Sequence, residues 1–494
     1  MSDTQASNKN YKYITTTLPY VNADPHIGFA LEITQADVVA RFKRLEGFEV
    51  FFNTGTDEHG QKIYQKANDE GKDTQKYVDH FASRFEELIT ALNLSPDNFI
   101  RTTDEGHKKA AQELWRRCEE NGDIYKKNFK GLYCVGCEMY VTEKDLNDNG
   151  RCPDHSDQDP IEVEEENYFF RFSKYQKPLL DLYEKHPDFV IPDKRFNEIK
   201  RFVEDGLEDF SISRVAEKMP WGVPVPGDEE QVMYVWFDAL SNYVSTLGWP
   251  EDKEGFNNFW IEGAPTQFAG KDQIRQQAAM WQAMLMSAQL PPSNQITVHG
   301  FINVEGKMMS KSIGNVVDPF DLVDEYSADA VRYYLLRHIN PVEDSDFTVK
   351  KMKEIYNANL ANGLGNLVSR ITNMYASYDI EVALDQNAGT VIEEEDMQTL
   401  QKLMSEYRFD RALDYIWAEI AHLDAFITEN EPYKLIKSDD TDQVEEAKQA
   451  VAYLVLRLYD IAAMLSPFMP ETSAEIKRII ESAEKPEPLF QRRE

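Results

Sequence analysis

Cysteine is scarce, with four in 494 residues, which excludes a disulfide framework as the source of stability. Basic charge is also short: 53 Lys and Arg stand against 87 Asp and Glu, for a net charge of −34. That balance argues against broad nonspecific binding to nucleic acid, although a local basic track on an acidic body is compatible with it. No apolar run reaches membrane length. The best candidate, Val451 to Met464, is interrupted by Arg457 and Asp460 and reads as a core helix. Internal repeats and low-complexity linkers are missing too. Met1 to Asn10 is polar and has no apolar leader segment, which predicts a cytoplasmic protein away from membranes.

What is present is the composition of a globular chain, 42% hydrophobic and 12% aromatic, long enough for about two to four domains. The first third alternates strand and helix. Tyr13 to Leu18 is β-branched and aromatic enough for a buried strand. Asp24 suits an N-cap and Pro25 a first helical position. Apolar residues Ile27, Leu31, Val38, Phe42 and Leu45 then recur at helical spacing up to a stop at Gly47. A strand over Glu49–Asn53, helices between Gln61 and Leu92, a strand near Phe99–Thr102 and a helix over Glu105–Glu120 follow.

Such alternation predicts a parallel sheet with ligands at the carboxyl ends of its strands. The start of the first helix leaves backbone N–H groups at His26 to Gly28 for a phosphate. The bland alternative is a histidine that caps or packs. Asp57 and His59 fall at a second strand end.

From Asp123 the pattern changes to short segments rich in turn residues. It returns to βα character between Val232 and Leu336, with strands expected at Met233–Trp236, Thr266–Phe268 and Ile296–His299. From Phe347 onward it is helical, with amphipathic stretches at Leu360–Tyr375, Met397–Thr428 and Val444–Met464. The expected architecture is therefore an α/β Rossmann-like nucleotide-binding fold, residues 1–122 and 229–346, split by an insertion over 123–228 and followed by an all-α bundle over 347–494.

Cys134-x2-Cys137-x14-Cys152-x2-His155 has two ligand pairs at zinc-ribbon spacing. Each pair fits one tight knuckle, giving closed tetrahedral coordination of one structural zinc. Cys118 lies apart and reads as a buried helix residue. A second phosphate element, Gly306-Lys307-Met308-Met309-Ser310-Lys311-Ser312-Ile313-Gly314-Asn315, has glycines on both sides and a lysine able to place a point charge on phosphate oxygens.

The stretch Leu18-Pro19-Tyr20-Val21-Asn22-Ala23-Asp24-Pro25-His26-Ile27-Gly28-Phe29 resembles the HIGH signature of class I aminoacyl-tRNA synthetases, in its methionyl branch. The family's second histidine is Phe29 here. The loop at 306–315 resembles the KMSKS loop, with Met308 at the first lysine and Lys307 one position earlier. The insertion between them resembles the zinc-bearing connective insertion of the single-zinc bacterial type.

The resemblance covers essentially the whole chain and implies one set of roles. His26, Arg214 and Lys311 are the catalytic residues. His26, Gly28, Glu32, Gly270, Asp272 and Lys311 bind ATP with Mg²⁺. Leu18, Tyr20, Asp57, Trp236, Ala239, Tyr243, Gln277 and Trp281 bind methionine, Gln277 replacing a usual histidine. In the helical part, Asn366, Arg370 and Tyr433 match anticodon-reading positions for tRNA(Met). The resemblance further implies activation of methionine to methionyl-adenylate and its transfer to tRNA.

The rival from another class is a noncatalytic RNA-binding paralogue, which altered positions 29 and 308 would suit. A synthetase for cysteine, leucine, isoleucine or valine is the nearer rival, but the insertion is too short for an editing domain. With the chain ending at Glu494, soon after its last helix, a monomer is expected.

Overall fold

The computed structural model describes residues 10–134, 139–141, 146–147, 149–153, 159–309, 314–378, 380, 382, 392–483 and 487–494. The chain divides into two compact units. One comprises Met1–Pro25, Glu46–Ile89 and Ser95–His299, and the other His26–Leu45, Thr90–Leu94 and Gly300–Glu494. Among the described residues no helix is long and apolar enough to cross a membrane.

The first unit is built on a six-stranded parallel sheet. Its strands in chain order are β1 (Tyr11–Thr16), β2 (Glu49–Thr56), β3 (Asn98–Arg101), β4 (Val190–Ile191), β5 (Thr266–Gly270) and β6 (Gln295–His299). Their spatial order is β3-β2-β1-β5-β6-β4. β1 pairs with β2 in the register Ile14↔Phe52, and with β5 in the register Ile14↔Thr266. The strand order therefore reverses beside β1, and the crevice at that switch lies beyond the carboxyl ends of β1, β2 and β5. Gly55 allows the close approach of β3, because a Cβ there would stand 1.8 Å from the Ile100 carbonyl oxygen. Tyr13, Ile14, Phe52 and Phe268 are fully buried, as expected of strands covered on both faces.

The insertion is antiparallel. Ile124–Cys134 runs against Ile161–Phe170 from Ile124↔Phe170 to Tyr133↔Ile161, with Met139–Val141 and Phe210–Ser211 on the two flanks. It is not wholly separate from the main sheet, since Val190–Ile191 returns from it to extend that sheet beside β6 in the register Ile296↔Val190.

One strand expectation needs correcting. The segment Met233–Trp236 ends its strand at Met233, which belongs to an antiparallel sheet with Ser213–Val215, and Val235–Ala239 is helical. The N–H groups of Phe237 and Asp238 turn back to the Tyr234 carbonyl oxygen at 2.9 and 3.2 Å. A short apolar run has no periodicity to separate strand from helix.

In the second unit the helix Ile27–Leu45 joins a small sheet, Ile302–Val304 with Lys307–Met308 and Ser345–Phe347, and a series of helices from Pro319 to Ser482. Its interior holds a fully buried Arg332. This side chain pairs with Asp37 at 2.7 Å and donates to the carbonyl oxygens of Leu92, Pro467 and Phe468. A buried guanidinium needs all of these partners. Cys118, on the helix Glu105–Glu120 of the first unit, is fully buried, and burial pushes its thiol up to about 12.

Candidate active site

In the first unit the loops after β1 and β2 are stitched together. Asp57 N–H donates to the Pro19 carbonyl at 3.0 Å, and Val21 N–H to the Asp57 carbonyl at 3.2 Å, closing a parallel bridge between Tyr20 and Asp57. Asp57 is 3% exposed, while Leu18 and Tyr20 are half-buried. Its neighbours are anchored in turn. Glu58 is gripped by Arg101 through Nε at 2.6 Å and Nη2 at 2.9 Å, and its carbonyl accepts from Trp221 Nε1 at 2.6 Å. His59 Nδ1 meets Asp238 Oδ2 at 2.6 Å, and His107 Nε2 meets Asp238 Oδ1 at 2.8 Å. Burial pushes the Asp238 carboxyl up, but attraction to His59 and the hydrogen bonds from both imidazoles outweigh it and hold the group at about 2.

Asp238 sits on the short helix that carries half-buried Trp236 and buried Ala239, and Tyr243 follows. Tyr243 is held by Tyr13 Oη, which donates to its carbonyl at 2.9 Å. Its ring packs 5.7 Å from that of Trp281, which meets Trp260 edge-on at 6.2 Å. Gln277 lies on a π-helical segment, Gln276–Met280, one turn before Trp281. Such segments recur at functional sites. These eight positions, which only the sequence resemblance groups together, carry a buried carboxylate, buried aromatic rings and an amide within one unit. Gly270 is buried at the end of β5 and Asp272 is exposed just beyond it.

Arg214 would pass for a surface residue from its local sequence, yet it is 6% exposed. Its guanidinium lies over the rings of Tyr133 and Tyr234, and Nη1 donates to the Ser213 carbonyl at 2.7 Å. It lines a cavity of about 260 Å³ with Gln61, Tyr133, Ile161, Lys218 and Met219.

In the second unit the helix begins at Ile27, later than the Asp24–Pro25 start that the sequence suggests. Asp24 is exposed and instead pairs with Arg84 at 3.4 Å, within the first unit. The cap is His26, whose Nδ1 accepts from Gly28 N–H at 3.1 Å. Capping and phosphate binding are compatible, because an accepting Nδ1 fixes the neutral tautomer with its proton on Nε2. At Gly28 a Cβ would stand 2.9 Å from that ring, so a side chain there would displace the capping imidazole. Glu32 is buried one turn on.

The helix start is pinned by Ile27 N–H to the Val317 carbonyl at 3.1 Å, and the Asn315 amide donates to the Met308 carbonyl at 3.0 Å. Lys307 and Met308 are exposed, Met308 by 65%. Lys311 lies outside the described residues, as do Cys137 and His155.

Sequence reasoning missed Asp238 as the partner of His59, and His107 as the partner of its other oxygen. Asp238 is visible in Tyr234-Val235-Trp236-Phe237-Asp238-Ala239, where an acidic residue inside an apolar run signals a buried polar contact.

The family model described as "tRNA synthetases class I (M)" matches residues 12–160 and 154–372. The chain is 42% identical to the methionine–tRNA ligase of Thermotoga maritima over 96% of its own length and 76% of that protein's. To the methionine–tRNA ligase of a Nostoc species it is also 42% identical, over 94% of its length and 88% of that protein's. Among solved structures, the Mycobacterium tuberculosis methionyl-tRNA synthetase in complex with methionyl-adenylate superposes with a TM-score of 0.89 at 36% identity, covering 95% of this chain and 93% of that one. Fold, site and these matches define a class I tRNA synthetase. Within that class the chain belongs to the methionyl-tRNA synthetase family, whose members are methionine–tRNA ligases.

Proposed function

We propose that this enzyme activates methionine with ATP and transfers it to tRNA(Met), including the initiator, with the residue roles set out here. The observation that carries the reading is a buried Asp57 bridged to Tyr20 at the sheet's switch point, in the same unit as the Tyr243–Trp281 wall. A buried carboxylate pairs with an ammonium, and an apolar aromatic wall takes a thioether side chain.

The methionine carboxylate is already ionised at neutral pH and needs no base. One of its oxygens forms the new bond to the α-phosphorus, while the bond from that phosphorus to the bridging oxygen breaks and pyrophosphate leaves with the electron pair. In the second step the terminal ribose 2′-OH of tRNA attacks the adenylate carbonyl carbon, the bond from that carbon to the phosphate oxygen breaks, and AMP leaves with the electron pair while the hydroxyl proton passes to its phosphate or to water. His26, through Nε2–H, and Lys311 bear on the phosphate oxygens as charge moves onto pyrophosphate. Gly28 and Glu32 serve the nucleotide from the first helical turns, and Gly270 and Asp272 serve its ribose and base. Bound Mg²⁺ supplies charge neutralisation at the phosphates. Arg214, held between two tyrosine rings, is a fixed positive charge for the same substrate.

Residues 1–122 and 229–346 form the catalytic part in this reading, 123–228 the connective insertion and 347–494 the anticodon-binding bundle. Cys134 and Cys152 suit a structural zinc. Both thiols are buried and free of disulfides, and Asn147 Oδ1 accepts from the N–H groups of Asn149 and Arg151 in a tight turn just before Cys152. With Cys137 and His155 they would hold one ion that braces the insertion. On Asn366–Ser377, Asn366 is exposed and Arg370 pairs with Asp424, while Tyr433 is 39% exposed. These three suit reading and stacking of unstacked bases. A cytoplasmic monomer completes the proposal.

The test is ATP–pyrophosphate exchange with methionine, leucine, isoleucine, valine and cysteine in parallel. Exchange with methionine alone is expected. Its absence from folded, zinc-loaded protein would overturn the reading in favour of a noncatalytic RNA-binding chain.

A further inference from the structure

Four buried polar side chains behind Trp281 form a chain of hydrogen bonds whose direction is set at one end. Gln267, Gln282, Ser293 and Gln277 are 0, 0, 3 and 1% exposed. A carboxamide can flip by half a turn without changing shape, so its polarity must come from its partners.

Here it comes from the backbone. Ser293 N–H, an obligate donor, reaches Gln282 Oε1 at 2.9 Å. Gln282 Nε2 is therefore the donor end, and it gives hydrogen bonds to the Gln277 carbonyl at 2.8 Å and to Ser293 Oγ at 3.1 Å. Having accepted, the Ser293 hydroxyl directs its own proton to Gln267 Oε1. Gln267 Nε2 must then donate, and it does so to Gln277 Oε1 at 3.3 Å. The oxygen of Gln277 is thus engaged, and its Nε2 is the atom left over. None of the described residues accepts from it. Trp281 Nε1, on the next turn, is also buried without an acceptor. Residues four or five apart in a π-helical turn share one face, so both donors belong to the side of the segment that carries the aromatic wall.

We propose that Gln267, Gln282 and Ser293 are positioning residues that lock the Gln277 carboxamide with its N–H₂ toward the bound amino acid, making the pocket selective for a sulfur-bearing side chain. The proposal rests on the reading of Gln277 and Trp281 as part of the methionine pocket. A thioether sulfur is a weak acceptor, whereas the methylene of an isosteric hydrocarbon chain accepts nothing. A site with a fixed, otherwise unmatched donor rejects the analogue that cannot satisfy it. Were Gln267 able to flip, Gln277 could flip with it and offer its oxygen to the sulfur, where two lone pairs would meet.

The probe is norleucine, which replaces the sulfur by a methylene. Methionine- and norleucine-dependent ATP–pyrophosphate exchange are compared in wild type, Ser293→Ala, Ser293→Thr and Gln277→Met. Ser293→Ala removes the hydroxyl that sets Gln267. It is expected to lower the methionine-to-norleucine ratio of kcat/KM about fivefold, the loss falling on methionine. Ser293→Thr keeps the hydroxyl and is expected to keep the wild-type ratio. Gln277→Met fills the space without a donor and is expected to match Ser293→Ala, which preserves the test if the alanine variant fails to fold. An unchanged ratio in Ser293→Ala, an equal loss with both substrates, or a threonine variant behaving like alanine would overturn the relay while leaving the methionine pocket in place. A wild type that exchanges with no amino acid would overturn the pocket reading itself.

Discussion

His59 and His107 bind opposite oxygens of one carboxylate, that of Asp238, at 2.6 and 2.8 Å, and all three side chains are buried. His107 is held in turn by Ser245 Oγ, 3.0 Å from its Nδ1. The link ties the strand end bearing Asp57 to the helix bearing Trp236 and Ala239. Replacing Asp238 by Asn leaves one imidazole facing an amide N–H₂. We expect a loss of about 3 kcal/mol in folding stability, measured by urea unfolding, together with a raised KM for methionine in exchange assays. A variant as stable as wild type would contradict this role.

The same carboxylate sets an acid limit. Its value in the fold is about 2, against 3.8 for an unperturbed aspartate. A lowered value stabilises above the unfolded pKa, so this contribution, on the order of 2 kcal/mol, is complete above roughly pH 5 and is lost as pH falls through 4 towards 2. The stability gap between wild type and Asp238→Asn should narrow over that window in unfolding curves taken at stepped pH.

Phe29 occupies the first turn after His26, its N–H bonded to the His26 carbonyl at 3.0 Å. A phenyl ring cannot hydrogen-bond to phosphate. Phe29→His is expected to accelerate methionine activation by roughly tenfold, the scale of one hydrogen bond to a charged group, as read by ATP–pyrophosphate exchange. A clearly slower variant would refute the assignment.

Asn366→Ala, Arg370→Ala and Tyr433→Ala should each lower kcat/KM for tRNA about tenfold, the range of a lost base contact or stack. Methionine-dependent exchange should be unaffected, because it requires no tRNA. Equal losses in exchange and aminoacylation would point to misfolding instead.

Elemental analysis of purified protein should find about one zinc per chain. Cys134→Ser or Cys152→Ser should release it and lower the unfolding temperature by several degrees. Retention of the metal by both variants would refute the four-ligand assignment.

The parallel sheet was legible because its strands are separated by helices with clear 3.6-residue periodicity. β1, β2, β3, β5 and β6 lie within a few residues of their expected places. Val190–Ile191 was not legible, since two residues carry no pattern and their pairing with β6 is fixed by tertiary contact alone. Val235–Ala239 misled for another reason, a largely apolar run too short to show a helical period. The burial of Arg214 was not legible, because packing over two tyrosine rings leaves no local trace in the sequence. At His26 the structure shows the cap, which is compatible with the proposed phosphate contact. The glutamine relay was illegible, as Gln267, Gln277, Gln282 and Ser293 meet only through the packing of a strand, a π-turn, a helix and a loop.

The position of β5 beside β1 also has a consequence in time. While the chain is being synthesised, β1 can pair with β2 early, but its other edge must wait for β5 to emerge, on the order of ten to fifty seconds later at ordinary elongation rates. Through that interval Tyr13 to Thr16, all buried in the finished sheet, present an unpaired backbone edge. Slower translation between β3 and β5 would lengthen the interval during which that edge stands open.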